Sequence, residues 1–125
     1  MKEIMAIIRM DKINKTKDAL VAAGISSMHV KDVLGRGKGY TEIRQTENLE
    51  KYWEDKIGEH VMVGRLVPKR KISIIVTNRN VPKAVKAIIE ANQTGNSGDG
   101  KIFVLPIYDT VRVRDGQNGD ETLDE

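Results

Sequence analysis

The sequence contains no cysteine, two histidines and five aromatic residues among its 125 residues. Without cysteine there is no disulfide framework, thiolate metal site or cysteine nucleophile, so we expect a reducing, cytoplasmic setting. His29 and His60 cannot form a zinc site alone. No apolar run approaches the roughly 20 residues that a membrane span needs, and the N-terminus lacks the pattern of a secretory signal.

Recognisable catalytic sets are also missing from the sequence. There is no Ser-His-Asp set, no pair of carboxylates and no H-E-x-x-H, so we do not expect an enzyme. The length fits one compact domain, which is small for an enzyme with a deep cleft of its own. Clefts between subunits are therefore attractive places for a site.

Charge is distributed unevenly along the chain. Residues 115–125 hold five acidic residues and no basic one, so the preceding 114 residues carry 21 basic against 13 acidic residues. A basic body with an acidic tail suits nucleic acid and small polyanions such as nucleotides equally well. Composition alone does not choose between them.

The apolar pattern predicts the order β-α-β, a long loop, and β-α-β again. In residues 2–10, Ile4, Ala6, Ile8 and Met10 share one face of a strand. A helix follows from an Asp11 cap to Gly24. The later elements are strands at 27–34 and 71–77, a helix after Pro82 with an apolar face of Val81, Ala84, Val85, Ile88 and Ile89, a strand at 101–105 and a short fifth strand at 110–114.

This order is the ferredoxin-like arrangement, an α+β fold in which an antiparallel sheet carries both helices on one face. The other face would be bare in a monomer, although its strand positions include Ile and Val. We therefore expect the sheet to pack against other copies of the chain.

A glycine-rich segment at 95–101 matches the first positions of the phosphate-binding Walker A loop. It is not one, because Ile102 stands where the magnesium-binding Ser or Thr should be, and because the order is helix, loop, strand. Three glycines still permit positive φ and let backbone amides converge on an anion beside Lys101. A flexible connection that uses glycine only for its turns explains the segment equally well.

Two further segments fit anion binding. Residues 35–39 read Gly-Arg-Gly-Lys-Gly, which is either a second amide nest or a hinge after a strand. Arg112 and Arg114 would share one face of the fifth strand, where they suit a polyphosphate or protect a solvated strand edge from aggregation.

Two aromatic residues lie in the charge-rich loop. Tyr52 and Trp53 either anchor a contact with a partner protein or form a small cluster that folds the loop onto its own domain.

Together these motifs resemble the P-II family of nitrogen-signalling proteins. The most specific match is Gly95 to Val104 (G-N-S-G-D-G-K-I-F-V), preceded by Gln93-Thr94. The segments Val33 to Gly37, Pro68 to Ile72 and Val111 to Arg114 fall in the right order around it. The resemblance covers residues 1–116, with a loop called the T-loop at about 38–67, and leaves 117–125 as an acidic tail.

The resemblance implies a trimer with ATP or ADP in three clefts between subunits, Mg²⁺ arriving with ATP and no protein side chain as a metal ligand. The implied nucleotide-binding residues are Ile7, His29, Gly35, Gly37, Lys38, Ile75, Thr94, Gly98, Asp99, Gly100, Lys101, Arg112 and Arg114. Those implied for 2-oxoglutarate are Gly37, Lys38, Gly39 and Lys69. The T-loop, including Tyr40, Tyr52 and Trp53, would bind the regulated protein.

Three departures from the family pattern are visible in the sequence. Gly39 stands where the family usually has the Gln that joins magnesium and 2-oxoglutarate, and His29 where it usually has a Thr near adenine. Between Gly37 and Lys69 there are 31 residues, more than in common bacterial members. The chain therefore looks most like the archaeal branch that regulates nitrogenase directly, in which two related P-II subunits act together.

Several functions remain open from the sequence. The resemblance favours an inhibitor of nitrogenase that senses nucleotides and 2-oxoglutarate, acting as a homotrimer or with a second P-II-like subunit. Control of an ammonium channel or of glutamine synthetase is the alternative within the family. A ferredoxin-like RNA-binding module needs exposed aromatics on the sheet, for which the strands offer Phe103 and Tyr108, and a slow ATPase lacks a candidate base.

Overall fold

The computed structural model describes residues 1–37 and 66–124. Within these ranges the strands are β1 (Lys2–Ile8), β2 (His29–Gly35), β3 (Val67–Val76) and β4 (Lys101–Pro106). The helices are α1 (Ile13–Ala22) and α2 (Val81–Asn92), with short 3-10 turns at Met10–Lys12, Asn78–Asn80 and Asp120–Thr122. The predicted order of elements is confirmed, except for the fifth strand.

The strands form one sheet in the order β2-β3-β1-β4, in which β1 pairs antiparallel with both β3 and β4. Alternate residues of β1 and β3, such as Ile4 and Ile74, are buried against helix residues such as Leu20 and Ile88 in one core. The α+β, ferredoxin-like fold is therefore confirmed.

The other face of the sheet carries apolar side chains, and no helix of residues 1–37 or 66–124 packs over them. Met5 of β1 pairs with Ser73 of β3 on one side and Phe103 of β4 on the other. Phe103 is 44% exposed, and Ser73 donates a hydrogen bond to Glu3 Oε2 on the same face. The sequence predicts this helix-free face, although Leu123 and Asp124 line a pocket with Ser73 and Ile75 on it.

The first helix starts later than predicted but ends where expected. Asp11 does not cap it: Asp11 lies in the preceding 3-10 turn, Lys12 occupies the N-cap position, and that position has no side-chain capping hydrogen bond. At the other end Gly24 has φ of 85°, and the amides of Gly24 and Ile25 donate to the carbonyls of Val21 and Leu20. This is a Schellman C-cap, in which glycine adopts the left-handed conformation at little cost.

The second helix begins with proline in its first turn, where the missing amide has no helical partner to lose. Its buried residues are Ala84, Ala87, Ile88, Ala91 and Asn92. Ile89, predicted to lie on the apolar face, is 42% exposed. Buried Asn92 donates to Thr16 Oγ1 at 2.9 Å and so joins α2 to α1.

The predicted fifth strand at 110–114 is wrong. Val111 makes an isolated antiparallel bridge with Asn118, and a turn at 113–115 reverses the chain between them. Gly116, at φ of 73°, donates its amide to the Arg112 carbonyl at 2.7 Å. The sequence Asp115-Gly116 is a strong turn signal that outweighs the alternating Val and Arg residues. We call residues 110–119 the C-terminal hairpin.

By internal contacts the chain separates into two compact units, residues 1–31 with 70–125 and residues 32–69. The first unit contains both helices, β1 and β4. Among the described residues, no helix is long and apolar enough to cross a membrane.

Candidate functional site

The loop at residues 94–101, between α2 and β4, is shaped by three glycines with positive φ. Gly95, Gly98 and Gly100 have φ of 84°, 98° and 109°. A Cβ at Gly100 would lie 1.9 Å from the carbonyl oxygen of Ile7 in β1. Side chains cannot be accommodated there, so glycine at this position is required by packing as well as by backbone conformation. We call this segment the B-loop.

Asp99 is the organising residue of the B-loop. Its Oδ2 accepts hydrogen bonds from the backbone amides of Thr94 at 2.8 Å and Gly95 at 2.9 Å. Its Oδ1 accepts from the Thr94 hydroxyl. The carboxylate therefore closes the loop on itself and ties its start to its end.

Arg9, which follows the end of β1, holds the same loop from the sheet side. Its Nη1 lies 2.6 Å from Asp99 Oδ1, and its Nη2 donates to the carbonyl oxygen of Ser97 at 3.0 Å. Arg9 was not predicted from the sequence, because a single cation after a strand has no motif. Only the antiparallel pairing of β1 with β4, which places the end of β1 beside the start of β4, could have indicated it.

These hydrogen bonds keep Asp99 ionised. Donation from the Thr94 side chain and backbone is the main reason that the pKa of the Asp99 carboxyl lies well below its usual range, with Arg9 and the Gly95 amide adding to the effect. A carboxylate that already accepts from four donor groups has little capacity left for a metal ion. Its role in this geometry is to shape the loop.

Lys101 supplies the positive charge at the end of the B-loop. It pairs with Ile7 across the β1–β4 ladder, so both side chains lie on the face of the sheet without helices. Lys101 is exposed. Positive-φ glycines beside an exposed ammonium group make an arrangement suited to binding a phosphate or carboxylate. The structure thus brings together Ile7, Thr94, Gly98, Asp99, Gly100 and Lys101 of the predicted residues.

His29 and Ile75 form a different cluster. They line a small pocket of about 110 Å³ together with Ser27 and the C-terminal residues Leu123 and Asp124. Thr122, from the same C-terminal stretch, is 8% exposed. Residues 122–124 of the predicted acidic tail thus lie against the sheet, while the domain boundary at 116 stays a prediction.

Arg112 and Arg114 were predicted to point together from one face of a strand, and this prediction is wrong. Arg112 Nη1 donates to Asp115 Oδ2 at 3.0 Å and to Gln117 Oε1 at 3.1 Å. Arg114 is exposed in the turn of the C-terminal hairpin. The prediction failed because the turn at Gly116 removes the alternation of a strand on which it depended.

The remaining predicted residues belong to the second compact unit, residues 32–69. Gly35 ends β2, Gly37 follows it and is exposed, and Lys69 is half-buried in β3. The other predictions, for Lys38, Gly39, Tyr40, Tyr52 and Trp53, lie outside the described residues. Their roles, like those of all the predicted ligand-binding residues, stay predictions.

The fold and the loop together define a class of protein, namely a ferredoxin-like α+β domain with a glycine-rich loop between its second helix and its last strand. The family model described as nitrogen regulatory protein P-II matches residues 1–117. The chain therefore belongs to the P-II family, and is a nitrogen regulatory protein of that family.

Curated relatives indicate which branch of the family this chain resembles. The chain is 42% identical over 123 residues to a "Nitrogen fixation nifHD region GlnB-like protein 2" of Methanobacterium ivanovii, covering 98% of this chain and 99% of the relative. A protein of the same name from Methanothermococcus thermolithotrophicus is 40% identical, with 96% of each chain covered. These relatives support the archaeal branch that the resemblance indicated.

A solved structure supports the fold. The crystal structure of Arabidopsis thaliana PII bound to citrate matches with a TM-score of 0.71 at 32% identity, covering 96% of this chain and 86% of that one.

Proposed function

We propose that this chain is a cytoplasmic, non-enzymatic sensor that binds the phosphates of ATP or ADP at the B-loop and controls a nitrogen-metabolism protein through residues 38–67. The observation that carries the proposal is the B-loop itself. Gly100 is wedged against Ile7, Asp99 is held by Arg9 and Thr94, and Lys101 stands exposed at the end of the loop.

Chemistry favours a polyphosphate over a metal ion at this loop. The B-loop offers backbone amides and an ammonium group, which complement negative oxygens. Its one carboxylate, Asp99, is already engaged by donors. Mg²⁺ brought in with ATP would therefore be held by the phosphate oxygens, whose charge it would neutralise.

Calorimetric titration with ATP tests the proposal. Losing one charged hydrogen-bonding partner costs on the order of 1.5–3 kcal/mol, or roughly 10- to 150-fold in affinity. Lys101→Ala and Arg112→Ala should each weaken ATP binding by that much, whereas Lys83→Ala, which removes an exposed cation from α2, should not. If both variants bind ATP like the wild type, the assignment of the site is wrong.

Nitrogenase is the target that we propose. Support comes from the names of the relatives, which place them in the nifHD region of nitrogen-fixing methanogens. Capture of the tagged protein from nitrogen-fixing cells, followed by native mass spectrometry, should recover nitrogenase and give the number and kind of P-II subunits. Recovery of an ammonium channel or glutamine synthetase instead would select the alternative target.

The T-loop, residues 38–67, is the proposed contact with the target because its sequence is rich in charge and lacks a core pattern. Excising residues 44–62 should leave subunit assembly and ATP affinity intact and abolish target binding. A deletion that unfolds the domain would show that Tyr52 and Trp53 belong to its core.

The direction of the proposed switch follows from competition for the T-loop. A dicarboxylate pairing with Lys69 would draw in the base of the loop, and a shift from about 1:99 to 99:1 needs roughly 5.5 kcal/mol of differential affinity. We expect 2-oxoglutarate with MgATP to dissociate the target complex and ADP to preserve it. Because Gly39 lacks a metal-binding side chain, we expect weaker 2-oxoglutarate binding than in common members of the family.

A Lys69→Ala complex should form but ignore 2-oxoglutarate. Tightening of the wild-type complex by 2-oxoglutarate, or a normal response of Lys69→Ala, would refute this mechanism while leaving family membership untouched.

A further inference from the structure

Arg9 joins the B-loop to the central strand of the sheet. One guanidinium nitrogen contacts the Asp99 carboxylate at 2.6 Å and the other donates to the Ser97 carbonyl at 3.0 Å. The Arg9 side chain is 27% exposed. The planar, forked guanidinium can serve two acceptors at once, which the single ammonium group of lysine does less well.

The two contacts lie on either side of Gly98. A Cβ at Gly98 would come within 3.2 Å of Arg9 Nη2, so the guanidinium covers this residue closely. Asp99, whose Oδ1 is held by Arg9, uses its Oδ2 to position the amides of Thr94 and Gly95. Removing Arg9 would therefore release the middle of the loop from the sheet.

We infer that Arg9 is a positioning residue for phosphate binding, acting through Asp99 and Ser97 to hold residues 98–100 in the conformation that receives the phosphates. This inference rests on the proposed function. The charge of Arg9 is neutralised by Asp99, so Lys101 supplies the attraction for the anion. Arg9 instead lowers the cost of binding, because a loop that is already ordered loses less conformational entropy when the ligand arrives.

Three variants test this by ATP calorimetry. Arg9→Gln removes the charge and the fork, and we expect about 10-fold weaker ATP binding, near the lower bound for one charged hydrogen bond. Arg9→Lys restores the charge and should recover part of the affinity. Arg79→Gln removes an exposed arginine from the 3-10 turn before α2 and should bind like the wild type.

A double-mutant cycle with Asp99→Asn separates positioning from direct contact. If Arg9 acts through Asp99, the double variant should bind ATP no more weakly than the weaker single variant. Additive losses, wild-type affinity of Arg9→Gln, or an equal loss in Arg79→Gln would each overturn the inference. If the wild type binds no ATP, the proposed function fails, and the inference with it.

The C-terminal hairpin provides a second, independent observation. The Arg112 guanidinium, 26% exposed, is already engaged by Asp115 and Gln117. The chain continues to Thr122, which is buried, and to Leu123 and Asp124, which line the pocket containing His29 and Ile75. One stretch of chain therefore contacts Arg112, which is predicted to bind the nucleotide, and lies beside two further residues with the same prediction.

We propose that residues 115–124 are an internal competitor of the nucleotide. Asp115 offers Arg112 the carboxylate that a phosphate oxygen would replace, and Leu123 and Asp124 lie where the nucleotide would approach His29 and Ile75. Nucleotide binding would then require the segment to release Arg112. This proposal also rests on the proposed function, and it predicts tighter binding when the segment is weakened.

Asp115→Asn is the sharpest test, because it removes the charge and keeps the side-chain size. Partly exposed ion pairs contribute up to about 1 kcal/mol, so ATP affinity should rise by roughly two- to fivefold. Asp18→Asn removes one exposed acid from α1 and serves as the control for net charge. Removal of residues 120–125 should increase affinity further.

Two results would overturn the proposal that residues 115–124 compete with the nucleotide. If Asp115→Asn weakens ATP binding, the network positions Arg112 instead of competing for it, and the proposal is overturned. An increase no greater than that of Asp18→Asn would also overturn it. Because the truncation removes buried Thr122, a truncated chain that fails to fold leaves the decision to Asp115→Asn.

Discussion

The B-loop and the C-terminal hairpin are both glycine-containing segments closed by an arginine and an aspartate, yet they are built differently. In the B-loop, Arg9 and Asp99 are 90 positions apart in sequence and meet at 2.6 Å. In the hairpin, Arg112 and Asp115 are three positions apart and meet at 3.0 Å. The first pair ties a loop to the sheet, and the second pair closes a turn on itself.

This difference means that the conformation of the B-loop is fixed by the sheet, whereas the ion pair of the C-terminal hairpin can exchange partners. The B-loop is held by Arg9, which follows β1, and by the close approach of Gly100 to Ile7 in β1, so it cannot change shape without disturbing the sheet. The hairpin depends on its own local hydrogen bonds, and its ion pair is partly exposed. Under our proposal, an arginine held in that way exchanges its partner for a phosphate at little cost.

Glycine replacements should give the largest contrast. Gly100→Ala should destabilise the fold by about 3 kcal/mol, since a strained positive φ costs about 1–2 kcal/mol and displacing the Ile7 carbonyl adds to it. Gly116→Ala meets nothing within 4 Å and should lose about 1–2 kcal/mol, from its φ alone. Chemical denaturation at equal protein concentration measures both. Equal losses would contradict the close packing of the B-loop.

Carboxylate replacements should give a smaller contrast of the same sign. Asp99→Asn should lower the melting temperature more than Asp115→Asn, because Asp99 joins Thr94, Gly95 and Arg9 whereas Asp115 stabilises one local turn. Thermal unfolding followed by circular dichroism compares them. A larger drop for Asp115→Asn would mean that the hairpin, and not the B-loop, is the more firmly held region.

The smallest effect is expected in the pH dependence of the folding stability. The pKa of the Asp99 carboxyl is lowered, so its contribution to stability is complete above the unfolded value of about 4 and decreases steadily as the pH falls below that value toward the lower folded one. Asp109 behaves likewise, because the Asn118 side chain and the Thr110 amide donate to it. Stability curves from pH 3 to 8 should therefore show a fall at the acid end that is shallower in Asp99→Asn. An identical acid fall in the variant would contradict the assignment.

Patterns local in sequence predicted much of the fold. Alternation identified the buried faces of β1 and β3, and Gly24 marked the end of α1 through its left-handed C-cap. The start of α1 was misplaced because Asp11 lies in a 3-10 turn. Ile89 was assigned to the core by its spacing, but the buried face of α2 is centred on its small alanines.

The candidate site was predicted only in part. Glycine spacing indicated the B-loop, because positive φ depends on the residues themselves. Arg9 could not be found in this way, since its contact with Asp99 depends on a pairing of β1 with β4 that no local pattern specifies. The strand assigned to Arg112 and Arg114 failed at Gly116, where one turn outweighed the alternation of four residues.

The central claim is that the B-loop receives the phosphates of the nucleotide. It is tested most directly by following backbone amide resonances in the nuclear magnetic resonance spectrum while ATP, or adenosine as the control, is added. We predict that the amides of Gly98, Gly100 and Lys101 shift strongly with ATP and weakly with adenosine. Saturable ATP binding that leaves these three amides unshifted would contradict the account.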